Sequence, residues 1–142
     1  MSDIERYLYD ETEEYVRPKA CEDCIVVRPG TYEEVSEILK WANKELVPVI
    51  PRGGGTGACG AAIPTEPSVI MSMERFRKIV EVDETNMMIT CQTGVTLASL
   101  NEYLAKNVHA LYFPCHPGDE GAQVGGMCIE NAGGVRAVKH GT

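Results

Sequence analysis

The chain has 142 residues, of which 13 are basic and 21 are acidic, so its formal net charge is −8. This length fits one domain of common size, and an apolar content of 44% argues against a disordered chain. The negative charge argues against nucleic acid or anionic membrane as a partner, because both are bound through clustered Lys and Arg. No apolar stretch approaches the roughly 20 residues of a membrane span. The acidic start of the chain lacks the apolar core of a signal peptide, so we expect a cytoplasmic protein with reduced cysteines.

Two capping-box patterns predict helices in the first third of the chain. Ser2 and Glu5 predict a short helix as far as Tyr9. Thr31 and Glu34 open a longer amphipathic helix, whose apolar side chains recur at helical spacing. The face predicted to pack consists of Val35, Ile38, Leu39, Ala42 and Leu46.

Short apolar runs between turn residues predict five strands, over residues 24–28, 47–50, 68–73, 78–83 and 87–93. The first two flank the helix that starts at Thr31, so they are expected to form a βαβ unit, a parallel pair with a right-handed crossover. The last two are joined by a hairpin turn over 84–86. A second helix is predicted over 96–106 and a short strand over 108–113. The fold class is therefore α+β, with a βαβ start followed by antiparallel strands.

The segment from Ile50 to Gly60 reads Ile-Pro-Arg-Gly-Gly-Gly-Thr-Gly-Ala-Cys-Gly and directly follows a predicted strand. Glycines allow positive φ and let a ligand come close to their N–H groups. Successive N–H groups of this kind form a concave nest that binds anions. This glycine loop therefore predicts a phosphate or pyrophosphate site, with a structural turn as the alternative.

The glycine loop matches neither of two common phosphate-binding motifs in full. A Walker loop ends in Gly-Lys-Ser or Gly-Lys-Thr, whereas two alanines follow Gly60. The string Gly-x-Gly-x-x-Gly is present over 55–60, but a dinucleotide-binding fold requires a helix to begin there. Pro64 and Pro67 forbid that helix, so we expect the loop alone to bind the anion.

A second glycine-rich segment covers residues 114–134. Residues 114–119 are predicted to form a rigid turn. Two glycines at 125–126 precede a short helix predicted over 127–131, and the two at 133–134 are expected to end that helix. Packing of this helix on the same ligand is the functional interpretation, and a pair of ordinary turns is the alternative.

Ordered strings along the chain resemble a known family. They are Val-Val-Arg-Pro at 26–29 with Thr-Tyr-Glu-Glu-Val at 31–35, Pro-Val-Ile-Pro-Arg-Gly-Gly-Gly-Thr-Gly at 48–57, Gln-Thr-Gly-Val-Thr-Leu at 92–97, and Gly-Gly at 125–126 with Asn-Ala-Gly-Gly-Val-Arg-Ala-Val-Lys-His-Gly at 131–141. The chain resembles the FAD-binding domain of the vanillyl-alcohol oxidase type, also called the PCMH type. It is similar in particular to the FAD subunits of glycolate oxidase and D-lactate dehydrogenase, from about residue 9 to residue 142.

The resemblance implies that FAD is bound by residues of both glycine-rich segments. Residues 52–57 would wrap the pyrophosphate, and residues of the second segment would line the adenosine and isoalloxazine parts. Relatives with covalent FAD carry a His just after the first glycines, where this chain has Thr56, so non-covalent FAD is implied. The implied cofactor-binding residues are Pro51, Arg52, Gly53, Gly54, Gly55, Thr56, Gly57, Pro114, His116, Pro117, Gly118, Asp119, Gln123, Val124, Gly125, Gly126, Asn131, Gly133 and Gly134.

The resemblance also implies an oxidoreductase that transfers a hydride from C2 of a D-2-hydroxy acid, such as glycolate or D-lactate, to flavin N5. Residues 1–142 would be a partial FAD-binding domain, incomplete at the C-terminus, with a first subdomain over about 1–110 and the start of a second over about 111–142. No catalytic residue or metal ligand is expected here. The implied protein partners are a companion chain, an electron-transfer subunit or a second copy. The alternatives are a non-catalytic remnant that binds FAD weakly or not at all, and a general nucleotide binder.

A few cysteine and histidine side chains are candidates for chemistry of their own. Cys21 and Cys24 form a Cys-x-x-Cys pair, but a zinc site needs about four ligands and no second pair is present. The neighbours Cys115 and His116 are the residues that would complete such a site in space. His116 is also a candidate proton shuttle, and Cys59 in the glycine loop is a candidate for oxidation.

Overall fold

A computed structural model of the chain describes residues 4–108 and 110–142. The chain divides into two units, Met1–Arg75 and Phe76–Thr142. The subdomain boundary expected near residue 110 stays a prediction. The elements in chain order are α1 (Glu5–Leu8), β1 (Ile25–Val27), α2 (Tyr32–Glu45), β2 (Val49–Arg52), β3 (Val69–Ser72), β4 (Ile79–Asp83), β5 (Met88–Cys91), α3 (Leu97–Asn107), α4 (Val124–Ile129) and α5 (Ala137–His140).

The first unit is built on a three-stranded parallel sheet in the order β1-β3-β2. Ile25 and Val49 both lie opposite Val69 in the register. Every residue of β3 is buried, as expected for the central strand of a sheet that is covered on both faces. The prediction that β1 and β2 are parallel is confirmed. The prediction that they pair with each other is wrong, because the apolar strand β3 lies between them.

Helix α2 begins where the sequence predicts. The Thr31 hydroxyl accepts a hydrogen bond from the Glu34 N–H at 3.2 Å, and the Glu34 carboxylate accepts one from the Gly30 N–H at 2.6 Å. That second bond holds the pKa of Glu34 below its ordinary value. Of the five described residues predicted for the packed face, Ala42 alone is fully buried, and Leu46 is 87% exposed. The apolar spacing thus predicts the helix correctly, but most of that apolar face is not buried.

The residues before β1 contribute to the core of the first unit. Helix α1 starts after Ile4, and the predicted cap Ser2 lies outside the described residues. Tyr7 and Leu8 of α1 are buried in a cluster that also contains Ala20, Ile63 and Ile70. The N-terminal segment is therefore held by apolar burial on the sheet and on the chain that follows the glycine loop.

The second unit begins with the predicted hairpin. Strands β4 and β5 pair antiparallel, with Val82 opposite Ile89. The Asp83 carboxylate closes the turn by accepting hydrogen bonds from the backbone and side-chain N–H groups of Asn86, at 3.0 and 2.6 Å. These bonds lower the pKa of Asp83.

Helix α3 forms the core of the second unit, as its apolar spacing predicts. It opens with a capping box in which Thr96 and Ser99 satisfy each other's backbone N–H groups. Its buried side chains form a cluster with flanking residues; the members are Val95, Leu100, Leu104 and Val108. The strand predicted over 108–113 is wrong for residues 110–113, since Leu111 and Phe113 pack their side chains on this cluster without strand pairing. An apolar run indicates burial, and it does not by itself determine a strand.

Helix α4 starts and ends earlier than predicted, and it contains both glycines at 125–126. It is ended by Asn131, with a φ of 50°, and the prediction that the glycines at 133–134 end it is wrong. The Ala132 N–H donates to the Met127 carbonyl at 2.9 Å and the Asn131 N–H to the Cys128 carbonyl at 3.4 Å, which is a Schellman motif. Asn tolerates the left-handed region because its short polar side chain bonds locally.

None of the helices in the described residues is long and apolar enough to cross a membrane.

Candidate functional site

The glycine loop lies directly after β2, at the carboxyl end of the parallel sheet. Gly54 and Gly57 are exposed, and Gly55 and Gly60 have left-handed φ angles of 75° and 74°. Among the described residues, no backbone N–H from residue 53 to residue 60 donates a hydrogen bond. Consecutive N–H groups that have no acceptor, on backbone that a ligand can reach, are suited to bind an anion. A diphosphate offers such N–H groups several acceptor oxygens.

Residues 61–67 form turns and bends, as Pro64 and Pro67 predict. The Gly60 carbonyl accepts a hydrogen bond from the Ile63 N–H at 3.1 Å, which closes the turn after the loop. The loop therefore has no helix N-terminus behind it, and the groups it offers to an anion are the backbone amides themselves.

Arg52 precedes the loop, and its side chain is buried. Its Nη2 donates hydrogen bonds to the Arg6 carbonyl at 3.1 Å and the Tyr9 carbonyl at 2.8 Å. Nη1 is buried and has no hydrogen-bond partner among the described residues. Burial lowers the pKa of Arg52, and the neighbouring Asp10 carboxylate opposes that shift. The guanidinium thus binds carbonyl groups of the N-terminal segment.

The turn at 114–119 is organised by two side chains that the sequence analysis selected. His116 Nδ1 accepts a hydrogen bond from the Gly118 N–H at 3.3 Å, and its Nε2 lies 3.4 Å from a carboxylate oxygen of Glu120. The Asp119 carboxylate accepts a hydrogen bond from the Gly121 N–H at 2.6 Å. Both ring nitrogens of His116 therefore have partners within the turn.

The start of α4 brings glycine backbone against the end of the hairpin. The Gly125 N–H donates to the Thr93 carbonyl at 2.9 Å, and a Cβ at Gly125 would lie 2.7 Å from Thr93 Cβ. A Cβ at Gly126 would meet no atom within 4 Å. Gln123 is buried, and its Oε1 has no hydrogen-bond partner among the described residues. This oxygen is an acceptor that a ligand N–H or a water molecule can satisfy.

Two parts of the second segment lie together in the second unit. A Cβ at Gly134 would lie 2.7 Å from the carbonyl carbon of His116 and 3.3 Å from Pro117 Cα. The Cys115 thiol donates to the Ala132 carbonyl at 3.0 Å. The Thr142 hydroxyl donates to the Asn131 side-chain oxygen at 3.0 Å. Gly134 is thus required by close packing against the backbone at 116–117, whereas a Cβ at Gly133 would meet mainly the Thr142 side chain, at 2.8 Å.

The remaining sequence-predicted residues of the second segment lie at accessible positions. Those that are half-buried are Pro114, Pro117, Val124 and Gly133, and those that are exposed are Gly118, Asp119, Gly126, Asn131 and Gly134. The structure thus leaves backbone at 118 and 126 open to a ligand.

A cluster near α5 was missed by the sequence analysis. The Tyr112 hydroxyl lies 3.1 Å from His140 Nε2, and the Arg136 guanidinium lies 5.5 Å from the centre of the Tyr112 ring. Together with Val135 and Lys139 they line an open pocket of about 450 Å³. Tyr112 is far in sequence from the other members, so no local pattern could have indicated this cluster.

The cysteines selected from the sequence differ in their surroundings. Cys59 is exposed in the glycine loop. The Cys24 thiol donates to the Cys21 carbonyl at 3.3 Å, and burial raises the pKa of Cys24. Within the described residues, no three Cys, His, Asp or Glu side chains come together as metal ligands.

Known proteins match this chain closely. The model of a family described as "FAD binding domain" matches residues 24–142. A D-lactate dehydrogenase of Archaeoglobus fulgidus is 50% identical over 136 residues, which is 96% of this chain and 30% of that protein. The glycolate oxidase subunit GlcD of Bacillus subtilis is 34% identical over 136 residues, which is 95% of this chain and 28% of that protein.

The solved structures include an alkyldihydroxyacetonephosphate synthase that superimposes with a TM-score of 0.71 at 30% identity, over 82% of this chain and 24% of that one. This likeness confirms the α+β fold of the PCMH type. The chain spans less than a third of the length of these three proteins. The family match over residues 24–142 shows that this chain belongs to the FAD-binding domain family and that its cofactor is FAD.

Proposed function

We propose that this chain is the flavin-binding part of an oxidoreductase that oxidises a D-2-hydroxy acid, such as D-lactate or glycolate. Relatives named D-lactate dehydrogenase and glycolate oxidase subunit support the substrate class. Bound FAD would supply a hydride acceptor at N5. The role of this chain is to bind and orient that cofactor, and we assign no catalytic residue to it.

The pyrophosphate of FAD is assigned to residues 52–57 of the glycine loop. The observation that carries this assignment is that no backbone N–H from residue 53 to residue 60 donates a hydrogen bond within the described part of the chain. N–H groups that point to a bound oxyanion gain charge-assisted hydrogen bonds, which are stronger than bonds between neutral groups. The loop has no lysine, so backbone amides must supply the binding.

The remaining parts of FAD are assigned to the second unit, at residues 114–134. The buried Gln123 Oε1 without a partner supports this, because it is an acceptor for a ring or amine N–H of the cofactor. The open space at Gly126 supports it as well, since a ligand can approach the backbone there. Thr56 supplies no imidazole in the loop, so we propose that FAD is held without a covalent bond. A companion chain, an electron-transfer subunit or a second copy as partner stays a prediction.

The loop assignment is tested by FAD titration of the full chain, followed by flavin fluorescence. Gly57→Val places a branched side chain over exposed backbone where a Cβ meets no atom within 4 Å, so the fold should be unchanged. FAD affinity should fall about tenfold or more, which is about 1.4 kcal/mol. Ala105→Val is the matched control, because it adds a branched side chain at an exposed position in α3, outside both glycine-rich segments.

The outcomes separate the alternatives. Saturable FAD binding that Gly57→Val weakens and Ala105→Val does not supports the assignment. Failure of the unmodified chain to bind FAD would instead identify a remnant without cofactor binding. ADP that competes as tightly as FAD itself would identify a general nucleotide binder.

The substrate proposal is tested in the full-length protein that carries this chain. Addition of D-lactate or glycolate without oxygen should bleach the visible flavin band, while L-lactate should not. Equal bleaching by both lactate enantiomers, or no bleaching by either D-lactate or glycolate, would contradict the assignment of a D-2-hydroxy acid.

A further inference from the structure

Arg52 lies between the glycine loop and the N-terminal segment of the first unit. Its guanidinium donates to two carbonyl groups of residues 6–9, at 3.1 and 2.8 Å. A Cβ at Gly55 would lie 2.5 Å from Arg52 Cζ, so the turn at Gly53–Gly55 rests directly on the guanidinium. The residue is only 5% exposed, and the hydrogen bonds of its Nη2 are with protein, while its Nη1 has no hydrogen-bond partner among the described residues.

The carbonyl groups that Arg52 binds belong to the end of α1. Arg6 lies in α1 and Tyr9 is its C-cap, and carbonyls in the last turn of a helix have no partner within the helix. A cation at that end satisfies them and interacts favourably with the helix dipole. Arg52 thus gives α1 a defined end, against which the glycine loop is placed.

A second bond joins the same two segments further along. The Glu11 N–H donates to the Gly57 carbonyl at 3.0 Å, and the Asp10 carboxylate shapes the intervening turn by accepting from the Thr12 N–H at 3.0 Å. The loop is therefore fixed at its start by Arg52 and at Gly57 by Glu11. Residues 4–11 lie outside the part of the chain that the family model matches, which begins at residue 24.

We propose that Arg52 is a positioning residue for FAD: its guanidinium locks the glycine loop to residues 4–11, so that cofactor affinity depends on an N-terminal segment outside the family domain. The proposal rests on the proposed function of the loop. In this proposal Arg52 acts through the loop backbone, and its effect on FAD does not require its side chain to contact the phosphates. Loss of the lock leaves the amides intact but lets the loop sample conformations in which they do not converge on one anion.

The test uses Arg52→Met and Arg52→Lys in the full chain. Methionine keeps the apolar stem without the donors, and lysine keeps the charge with one donor group that can reach a carbonyl. The matched control is Arg75→Met, because the Arg75 guanidinium also donates to a backbone carbonyl, that of Arg28 at 2.9 Å, and also lies 2.5 Å from a Cβ built at a glycine, Gly30.

Two readouts are measured. FAD affinity should fall about tenfold in Arg52→Met, because a hydrogen bond from a charged group contributes a free energy that corresponds to about a tenfold change in affinity. Arg52→Lys should recover part of the lost affinity. In the FAD-free protein, hydrogen exchange should show that the Glu11 amide loses protection in Arg52→Met, although Arg52 does not touch that amide. The Cys21 amide, which donates to the Pro64 carbonyl at 2.8 Å, should keep its protection.

Each result decides between the proposals. A purely structural role would expose the Glu11 and Cys21 amides together and overturn positioning. Unchanged FAD affinity in Arg52→Met would overturn it as well, while leaving the loop assignment intact. An unmodified chain that binds no FAD would overturn the proposed function, and the exchange of the Glu11 amide would still decide whether Arg52 locks the loop. If Arg52→Met does not fold, the same two measurements on Arg52→Lys decide. The proposal is contradicted if the Glu11 amide of Arg52→Lys loses its protection while this variant binds FAD as tightly as the unmodified chain.

Discussion

The two glycine-rich segments of this chain use the same residue for different physical reasons. In the first unit, Gly57 has open space around it, and the amides of the loop donate no hydrogen bonds within the described residues. In the second unit, Gly125 and Gly134 lie against Thr93 and the His116 carbonyl group, where a Cβ has no room. At Gly57 the absence of a side chain therefore leaves the backbone open, whereas at Gly125 and Gly134 it makes room for another stretch of the chain.

The largest expected effect is on the folding of the second unit. Gly134→Ala places a Cβ 2.7 Å from the carbonyl carbon of His116, and backbone cannot move aside as a flexible side chain can. The free energy of unfolding, measured by urea denaturation, should fall by about 1–3 kcal/mol. Gly126→Ala is the control, because its Cβ meets no atom within 4 Å, and its stability should stay equal or rise. Equal losses in both variants would break the distinction between packing and open glycines.

A smaller effect is expected from Gly55→Ala in the first unit. Gly55 has a φ of 75°, which costs a residue with a Cβ about 1–2 kcal/mol, and its Cβ would also press on the Arg52 guanidinium. Gly57→Ala has neither penalty and should leave the free energy of unfolding unchanged. Urea denaturation of both variants without FAD measures this difference. Equal stability of the two would show that the turn does not rest on Arg52.

The helix caps of the two units should respond differently to acid. The hydrogen bond from the Gly30 N–H lowers the pKa of Glu34 in the folded chain. The ionised Glu34 side chain therefore stabilises the fold fully at a pH above its ordinary pKa of 4.5. This stabilisation is lost as the pH falls through the lower pKa of the folded chain. The cap of α3 uses Thr96 and Ser99, which do not titrate in this range. Urea midpoints at several pH values should show a loss in acid that Glu34→Gln reduces. The same slope in Glu34→Gln and the unmodified chain would contradict this.

The smallest expected effect concerns the exposed thiol in the glycine loop. Bound FAD should slow alkylation of Cys59, because the cofactor covers the neighbouring backbone. Mass spectrometry of the labelled chain measures the rate at each cysteine, with Cys21 as the reference outside the loop. In Gly57→Val, FAD should give little such protection at a concentration that half-saturates the unmodified chain, because the affinity is about tenfold lower. Protection of Cys59 that persists in this variant would show that FAD reaches the segment without the loop amides.

Local features of the sequence were predicted well where the interactions are local. The start of α2 at Thr31 and the turn from Asp83 to Asn86 involve side chains within four residues of their partners. The end of α4 was mispredicted, because Asn131 can take the left-handed conformation that the sequence analysis assigned to glycine. A short-range pattern indicates that a helix ends, and several residue types can end it.

The sequence by itself determined the starts of α2 and α3, the hairpin, a glycine loop without a following helix, and the membership of the FAD-binding family. These depend on residues close in the chain, or on an ordered set of strings. Only the tertiary structure decided that β3 lies between β1 and β2, that the Arg52 side chain turns to the carbonyls of residues 6–9, and that Gly134 packs on residue 116. Each of these joins residues distant in sequence, and such contacts are selected by the burial and hydrogen bonding of the whole unit, which no local pattern records.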